Sequence, residues 1–414
     1  MEDMAPTRDT RSAAAPALQG IKVLDLTQFE AGPSSTEALA MFGADVVKVE
    51  EPNRGEPGRW GFSDRTDADS HYFLYYNRNK RSITCNLKTE EGKALLTRLV
   101  AKADVLVENM APGTFARLGF DYPRLSEINP RLIFAQVKGF ASDSPHANYL
   151  AFDMIAQAMG GTMGVNGFPD APPIRPGASV GDTGTGMLCA MAILAALYQR
   201  LTTGRGQHIQ IAMRDAMLNY CRTPMSRQAA RKDQLPRGGN GVLGTAPGGL
   251  FRCAPGGLND WCYIFASRGN EEHWRRLVRA IDREDLLTDP RMADGPTRAE
   301  NQEAVDAAIT EWTSKRSKQE VMEVIAGAGV PCGAVMTTLE LLHDPDLHAR
   351  GMMQTIDHPV RGPVIVPGWP IRMSDCKVAL KAAPLHGADT ETVYGEWLGC
   401  SAADVKDLQQ RRVI

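Results

Sequence analysis

The stretch Gly177-Ala178-Ser179-Val180-Gly181-Asp182-Thr183-Gly184-Thr185-Gly186 combines the features a nucleophilic carboxylate needs. Its glycines let a substrate approach the backbone closely. Asp182 stands just ahead of an apolar run, at the N-terminus of the helix that this run predicts. There the positive end of the helix dipole keeps a carboxylate ionised, and an ionised carboxylate attacks electrophilic carbon. An N-cap aspartate has the same local pattern, so the stretch by itself admits both roles. A second acidic group, Asp153, lies in Ala151-Phe152-Asp153-Met154-Ile155, where apolar neighbours would raise its pKa. It reads equally as a helix-start carboxylate. A third element, Gly238-Gly239-Asn240-Gly241, has the composition of a hinge or lid, or of a linker.

Other chemistries are absent from the sequence. The eight histidines form no HExxH and pair with no cysteine at ligand spacing, so no metal is expected. No serine sits in GxSxG, and no GxGxxG follows the first apolar strand. Met159, Met163 and Met187 read as core or pocket lining. Forty-six basic against 49 acidic residues leave a net charge of −3, which excludes a strongly basic nucleic-acid binder. The eight scattered cysteines include no CxxC and read as free thiols of a reducing, cytoplasmic protein. The first 20 residues lack the apolar region of a signal peptide. The longest apolar run, Gly186 to Tyr198, falls short of the ~20 residues that span a bilayer. No membrane association is therefore expected.

The elements that must position these residues follow from periodicity. Ile21 to Leu26 reads as a buried strand, Thr27 to Pro33 as a loop, and Ser34-Ser35-Thr36-Glu37 as a capping box opening a helix to about Phe42. Asp45 to Glu50 reads as the next strand. Strand, helix and strand in this span form a βαβ unit, which predicts an α/β fold with a parallel sheet. The pattern continues with a helix near Glu90–Ala103, strands at Val105–Val107 and Leu132–Val137, a helix at Met187–Leu201 and a strand at His208–Met213. Beyond residue 222 the character changes. Pro236 to Gly257 is rich in glycine and proline; then come a strand at Trp261–Ala266, helices at Glu271–Ile281, Ala299–Thr313 and Lys318–Ala328, and a strand-like Ala334–Thr337. The 414 residues thus divide into a tail (1–17), a large domain built from 18–222 and 345–414, and a small domain over 223–344. A modest excess of glycine (39) and proline (26) points to functional loops.

Several segments, in order, give the chain a family likeness: GIKVLDLTQFEAGP, GADVVKVE, NRNKRSITCNLKTEEGK, VENMAPGTFARLGF, AFDMIAQAMGG, PGASVGDTGTGM and TGRGQHIQIAMRDAM. Together they resemble the class III CoA-transferase (CaiB/BaiF) family, from about Leu18 to the C-terminus. The resemblance implies a Rossmann-like large domain formed from both chain ends, a smaller α+β middle domain, and two ring-shaped subunits interlocked as a homodimer. It implies transfer of CoA from an acyl-CoA donor to a carboxylic acid acceptor. In that scheme Asp182 forms an acyl anhydride and then an aspartyl-CoA thioester. Gly239 and Gly241 would belong to the glycine-rich lid, and Asp153 stands where the family often carries Glu. By motif, Gln28, Phe29, Ala31, Lys88, Asn109, Met110 and Arg117 would bind coenzyme A, which is substrate rather than resident cofactor.

The sequence also departs from the family. Glu30 replaces a glutamine found in one branch, placing an extra carboxylate near Asp182 that would repel an anionic acceptor such as oxalate. Glu51 replaces an arginine, and a middle-domain insertion of some members is missing. Arg78 and Arg175 are two cations that could hold a distal carboxylate of the substrate. Two alternatives remain. An α-methylacyl-CoA racemase would move a proton, but its motif carries His where this chain reads Ala151-Phe152-Asp153. A non-catalytic acyl-CoA-binding protein would make no use of Asp182 as nucleophile.

Overall fold

The computed structural model describes residues 15–414; of the tail read over 1–17, residues 1–14 lie outside the described residues. The chain divides into two compact units. One comprises the N-terminal segment to Thr162, Arg175–Ser226 and His348–Ile414; the other comprises Met163–Ile174 and Arg227–Leu347.

The first unit is built on six parallel strands: β1 (Lys22–Leu26), β2 (Asp45–Glu50), β3 (Arg81–Thr84), β4 (Val105–Glu108), β5 (Ile133–Lys138) and β6 (His208–Ala212). Their order is β3-β2-β1-β4-β5-β6. Alternation along β1 separates two cores. Leu24 and Leu26 pack with Leu96, Leu99, Val393 and Trp397 on one face. Val23 packs with Leu39, Ile193 and Met217 on the other. Period-two side chains thus force helices onto both faces of the sheet.

The helix after β1 spans Ala31–Met41, so it starts ahead of the expected capping box, with Glu30 in the N-cap position. Ser34 to Glu37 lie inside it, and the side chains of Ser35, Thr36 and Glu37 have other partners. Ser35 Oγ donates to the Gly32 carbonyl, Thr36 Oγ1 donates to Asp25 at 2.7 Å, and Glu37 pairs with Arg78 at 2.7 Å. Pro33 is tolerated because it falls in the first turn.

The helix expected at Met187–Leu201 spans Val180–Thr203, 24 residues, so Asp182 is its third residue rather than its cap. This corrects the expectation that no segment is long enough to cross a membrane: by length and composition this helix qualifies, with a mean hydropathy of 1.5. Its apolar inner face instead packs on the sheet of the first unit, through Cys189, Ile193 and Ala196. It also lies against the helix Ala31–Met41 so closely that a Cβ on Gly186 would stand 2.5 Å from the Ala31 carbonyl oxygen.

In the second unit, β7 (Gly248–Arg252), β8 (Trp261–Phe265) and β9 (Cys332–Ala334) form an antiparallel sheet. β7 falls inside the glycine- and proline-rich segment read as irregular, and β9 meets the Ala334–Thr337 expected as a strand only at Ala334. Thr337 instead caps the helix Thr338–Leu342 through a capping box. The helix expected over Ala299–Thr313 is two helices, Gly295–Glu300 and Gln302–Thr313, broken at Asn301. The C-terminal part of the first unit adds the hairpin β10 (Met353–His358) and β11 (Gly362–Pro367), and the helix Thr390–Leu398 packed over Leu96. All eight cysteines are unpaired.

Candidate active site

β1 and β4 are parallel neighbours from which the chain winds toward opposite edges of the sheet, and their carboxyl ends open a crevice where small ligands bind in folds of this kind. A cavity occupies that crevice. Gln28 to Ala31 line it from the end of β1, Asn109 to Pro112 from the end of β4, and Val137 to Gly139 from the end of β5. Tyr149 to Phe152, Met213 and Asp182 complete the lining.

Buried ionic groups hold the β1 loop from below. Lys48 Nζ donates to the Thr27 carbonyl at 2.8 Å, and Lys80 Nζ to Asp25 at 2.9 Å. Burial alone would raise the Asp25 pKa, but Lys48, Lys80 and the Thr27 hydroxyl together hold it well below the usual range. Gln28 and Asn109 exchange two bonds, each 2.8 Å, which join the β1 and β4 loops. Phe29 has a left-handed φ of 63°, unusual for a large residue. Its N–H donates to the buried Glu56 carboxylate at 2.8 Å, and its ring meets Phe152 edge-on at 5.7 Å. Loop and partner thus form an apolar wall.

Three carboxylates gather at the start of the helix Val180–Thr203. Asp153 Oδ1 accepts from the Gly181 N–H at 2.9 Å, and its Oδ2 accepts from Gln157 at 2.7 Å. Gly181 is needed there, since a Cβ would stand 2.8 Å from Asp153 Oδ1. Glu30 Oε1 accepts from the Thr183 hydroxyl at 2.6 Å, and Oε2 lies 3.5 Å from the Tyr72 hydroxyl. Tyr76 and Ser179 also face Glu30. Burial raises the Glu30 pKa against the hydrogen bonds from Thr183, Tyr76 and Ser179. Asp182 is pushed up to about 7, first by burial and then by the charges of Glu30 and Asp153. The helix dipole was expected to keep it ionised; desolvation and two like charges outweigh the dipole.

Of the residues singled out from sequence, Gln28, Phe29, Glu30, Ala31, Asn109, Met110 and Asp182 line one cavity. Asp153 lies behind it, against Gly181. Lys88 and Arg117 are exposed outside the lining; the Arg117 guanidinium donates to the Thr114 hydroxyl at 2.9 Å. Gly239 and Gly241 belong to the second unit, where Gly239 has a φ of 58° and donates its N–H to Gly167. Arg78 is buried, bonded to Glu37 and to the Pro367 carbonyl, and so cannot meet a substrate. Sequence reasoning missed Tyr72 and Tyr76. Their i, i+4 spacing puts both on one face of the helix His71–Tyr76 and was the available signal. Burial, and then the Glu30 charge, push both phenols up, so they remain donors.

Comparison with known proteins gives one family. The profile of CoA-transferase family III matches residues 18–390. A formyl-CoA:oxalate CoA-transferase of Streptomyces coelicolor is 41% identical over 413 residues, covering 97% of this chain and 100% of that protein. Another, from Escherichia coli O157:H7, is 38% identical, with 96% and 99% covered. Among solved structures, a CaiB/BaiF family protein from Brucella suis superposes with a TM-score of 0.81 at 34% identity, covering 92% of this chain and 99% of that one.

Proposed function

The chain belongs to CoA-transferase family III and is an enzyme of that class, and from this premise we propose that Asp182 is the nucleophile through which it passes CoA from an acyl-CoA to a carboxylic acid. The observation that carries the proposal is the position of Asp182. It sits in the first turn of a helix, at the wall of an otherwise largely apolar cavity, beside a second carboxyl group.

The steps follow from carboxylate chemistry. An Asp182 oxygen attacks the acyl carbonyl carbon, the C–S bond breaks, and CoA leaves as thiolate, giving an aspartyl–acyl anhydride. The thiolate attacks the aspartyl carbonyl and releases the donor acid, leaving an aspartyl-CoA thioester. The acceptor carboxylate then attacks that carbonyl, expels the thiolate and forms a second anhydride. Thiolate attack on the acceptor carbonyl yields the new acyl-CoA and frees Asp182. Each step exchanges one activated acyl group for another. Water must stay out, and Phe29, Met110, Phe152 and Met213 supply the apolar walls. The lid role of Gly239 and Gly241 rests on motif.

Gln28, Phe29, Ala31, Asn109 and Met110 would take the pantetheine arm along the crevice. Lys88 and Arg117 would meet the phosphates as exposed cations. The acceptor is unlike oxalate. Its two carboxylates are directly bonded, so the second charge would fall against Glu30. A racemase reading gains no support, because no histidine is among the residues lining the cavity.

We further propose the interlocked homodimer, in the cytoplasm. The helix Val180–Thr203 leaves Met191, Tyr198 and Leu201 60%, 77% and 81% exposed, a stripe that a second copy would cover. Eight unpaired cysteines suit a reducing compartment.

Asp182→Ala is expected to abolish CoA transfer while the purified protein still elutes as a dimer. Incubation with acyl-CoA and hydroxylamine should place a hydroxamate on Asp182 in the mass spectrum. Transfer surviving in Asp182→Ala, or a label found on another residue, would overturn the nucleophile.

A further inference from the structure

Acid substrates enter this site as anions, yet Asp182 and Glu30 already line it with carboxyl groups and Asp153 stands behind them. A cation must offset them. Among the described residues, Arg175 alone has its charge within 4 Å of any of the three: Nη1 lies 3.7 Å from Asp153 Oδ2. The other nearby cations are committed. Lys138 bonds both Glu108 oxygens and the Met110 carbonyl, Lys80 and Lys48 serve the Asp25 network, and Arg78 is held by Glu37.

Asp153 does not need Arg175. Its oxygens already accept from Gly181 and Gln157 at 2.9 and 2.7 Å. At 3.7 Å the guanidinium is beyond hydrogen-bond range, and its side chain is 48% exposed. It carries five donors with no hydrogen-bond partner among the described residues. The Oε1 of Gln157, a fully buried residue whose amide N–H donates to Asp153, also lacks a partner. A planar guanidinium with unused donors matches a carboxylate in two-point geometry.

Resting on the reading of Asp182 as nucleophile, we propose that Arg175 binds the distal carboxylate of the acceptor. The acceptor class is then a dicarboxylic acid whose two groups are separated by a short carbon chain. One carboxylate reacts at Asp182 and the other leaves the neighbourhood of Glu30 to pair with Arg175. Oxalate, whose two carboxyl groups are directly bonded, would keep its second charge near Glu30, which reconciles a longer diacid acceptor with the Glu30 charge.

The test compares chain-matched acids. Succinate, glutarate and adipate are set against butyrate, pentanoate and hexanoate as acceptors, in the wild-type protein, Arg175→Gln and Arg175→Lys. In Arg175→Gln the diacids should lose roughly 10- to 100-fold in kcat/KM relative to the monoacids, the size of one lost charge-assisted pair. Arg175→Lys should restore part of that difference. Equal losses for both series, a wild-type preference for monoacids, or a loss appearing in the KM of the acyl-CoA donor would overturn the proposal. Hydroxylamine trapping separates the two readings: an unlabelled Asp182 in the wild type defeats the nucleophile assignment. Calorimetry with glutarate and no acyl-CoA then decides Arg175 by itself. Binding to the wild type and not to Arg175→Gln upholds the proposal; equal binding, or none, overturns it.

Discussion

The Thr183 hydroxyl donates a 2.6 Å hydrogen bond to Glu30, joining the residue that precedes the helix Ala31–Met41 to the first turn of the helix Val180–Thr203. This bond keeps a second carboxyl group beside Asp182. The helix dipole favours an anion there by about 0.3–1 kcal/mol. Burial, Glu30 and Asp153 act in the opposite direction and prevail, holding the Asp182 carboxyl at about 7. A carboxylate of higher basicity is a stronger nucleophile once it is ionised, so the arrangement trades availability for reactivity.

The pH dependence should report this. Attack requires the anion, so kcat/KM for acyl-CoA should rise with pH through about 7, where Asp182 loses its proton. Glu30→Gln removes the neighbouring charge that acts more strongly on Asp182, and the ascending limb should move to lower pH. Stopped-time assays between pH 5 and 9 measure both. An ascending limb left in place by Glu30→Gln would remove Glu30 from the electrostatics of the nucleophile.

Parts of this arrangement are visible in the sequence. The apolar runs Ile21–Leu26 and Asp45–Glu50 are buried on both faces, and such strands announce themselves. Asp182 is conspicuous because glycines surround it. Its helix start is not: Gly181, Gly184 and Gly186 are poor helix formers, and each stands in the helix against a different close neighbour, Asp153, Tyr220 and Ala31 in turn. Gly32 and Pro33 likewise read as loop, yet both lie within the helix Ala31–Met41. Arg78 and Arg175 are indistinguishable by sequence; burial against Glu37 separates them. Hydroxyls such as Tyr72, brought to Glu30 from 42 positions away, have no local signature.

Acceptor choice gives a second prediction. Glu30→Gln keeps the shape of the side chain and can still accept from Thr183, but loses the charge. Oxalate and other short diacids should gain as acceptors by roughly tenfold, about 1.4 kcal/mol and within the range of one removed like-charge contact. The measurement is the ratio of kcat/KM for oxalate to that for butyrate in the two proteins. An unchanged ratio would exclude Glu30 from acceptor selection.

Helix contact gives a third. Gly186→Ala would place Cβ 2.5 Å from the Ala31 carbonyl oxygen, a backbone atom that cannot swing aside. The two helices must separate, at a cost of about 1–3 kcal/mol. Thermal melting should show a Tm lower by roughly 2–10 °C. Because Glu30 and Thr183 sit on the two displaced segments, Asp182 labelling by hydroxylamine should slow as well. A melting curve that overlays the wild type would mean the helices are not in this contact.

Asp182 also couples stability to pH. Its folded-state pKa of about 7 lies above the ordinary 3.8, so the folded form retains a proton that the unfolded chain has given up. The group's favourable contribution is complete below 3.8 and is lost as the pH rises through about 7. Asp182→Asn keeps the volume and never ionises. The wild type should therefore match or exceed the variant at pH 5 and fall below it at pH 8.5, by on the order of 1–2 kcal/mol once solvent screening is included. Urea unfolding of both proteins at the two pH values gives the difference directly. A difference that is the same at both pH values would show that Asp182 ionises at an ordinary pKa, and the charge crowding inferred around it would fall.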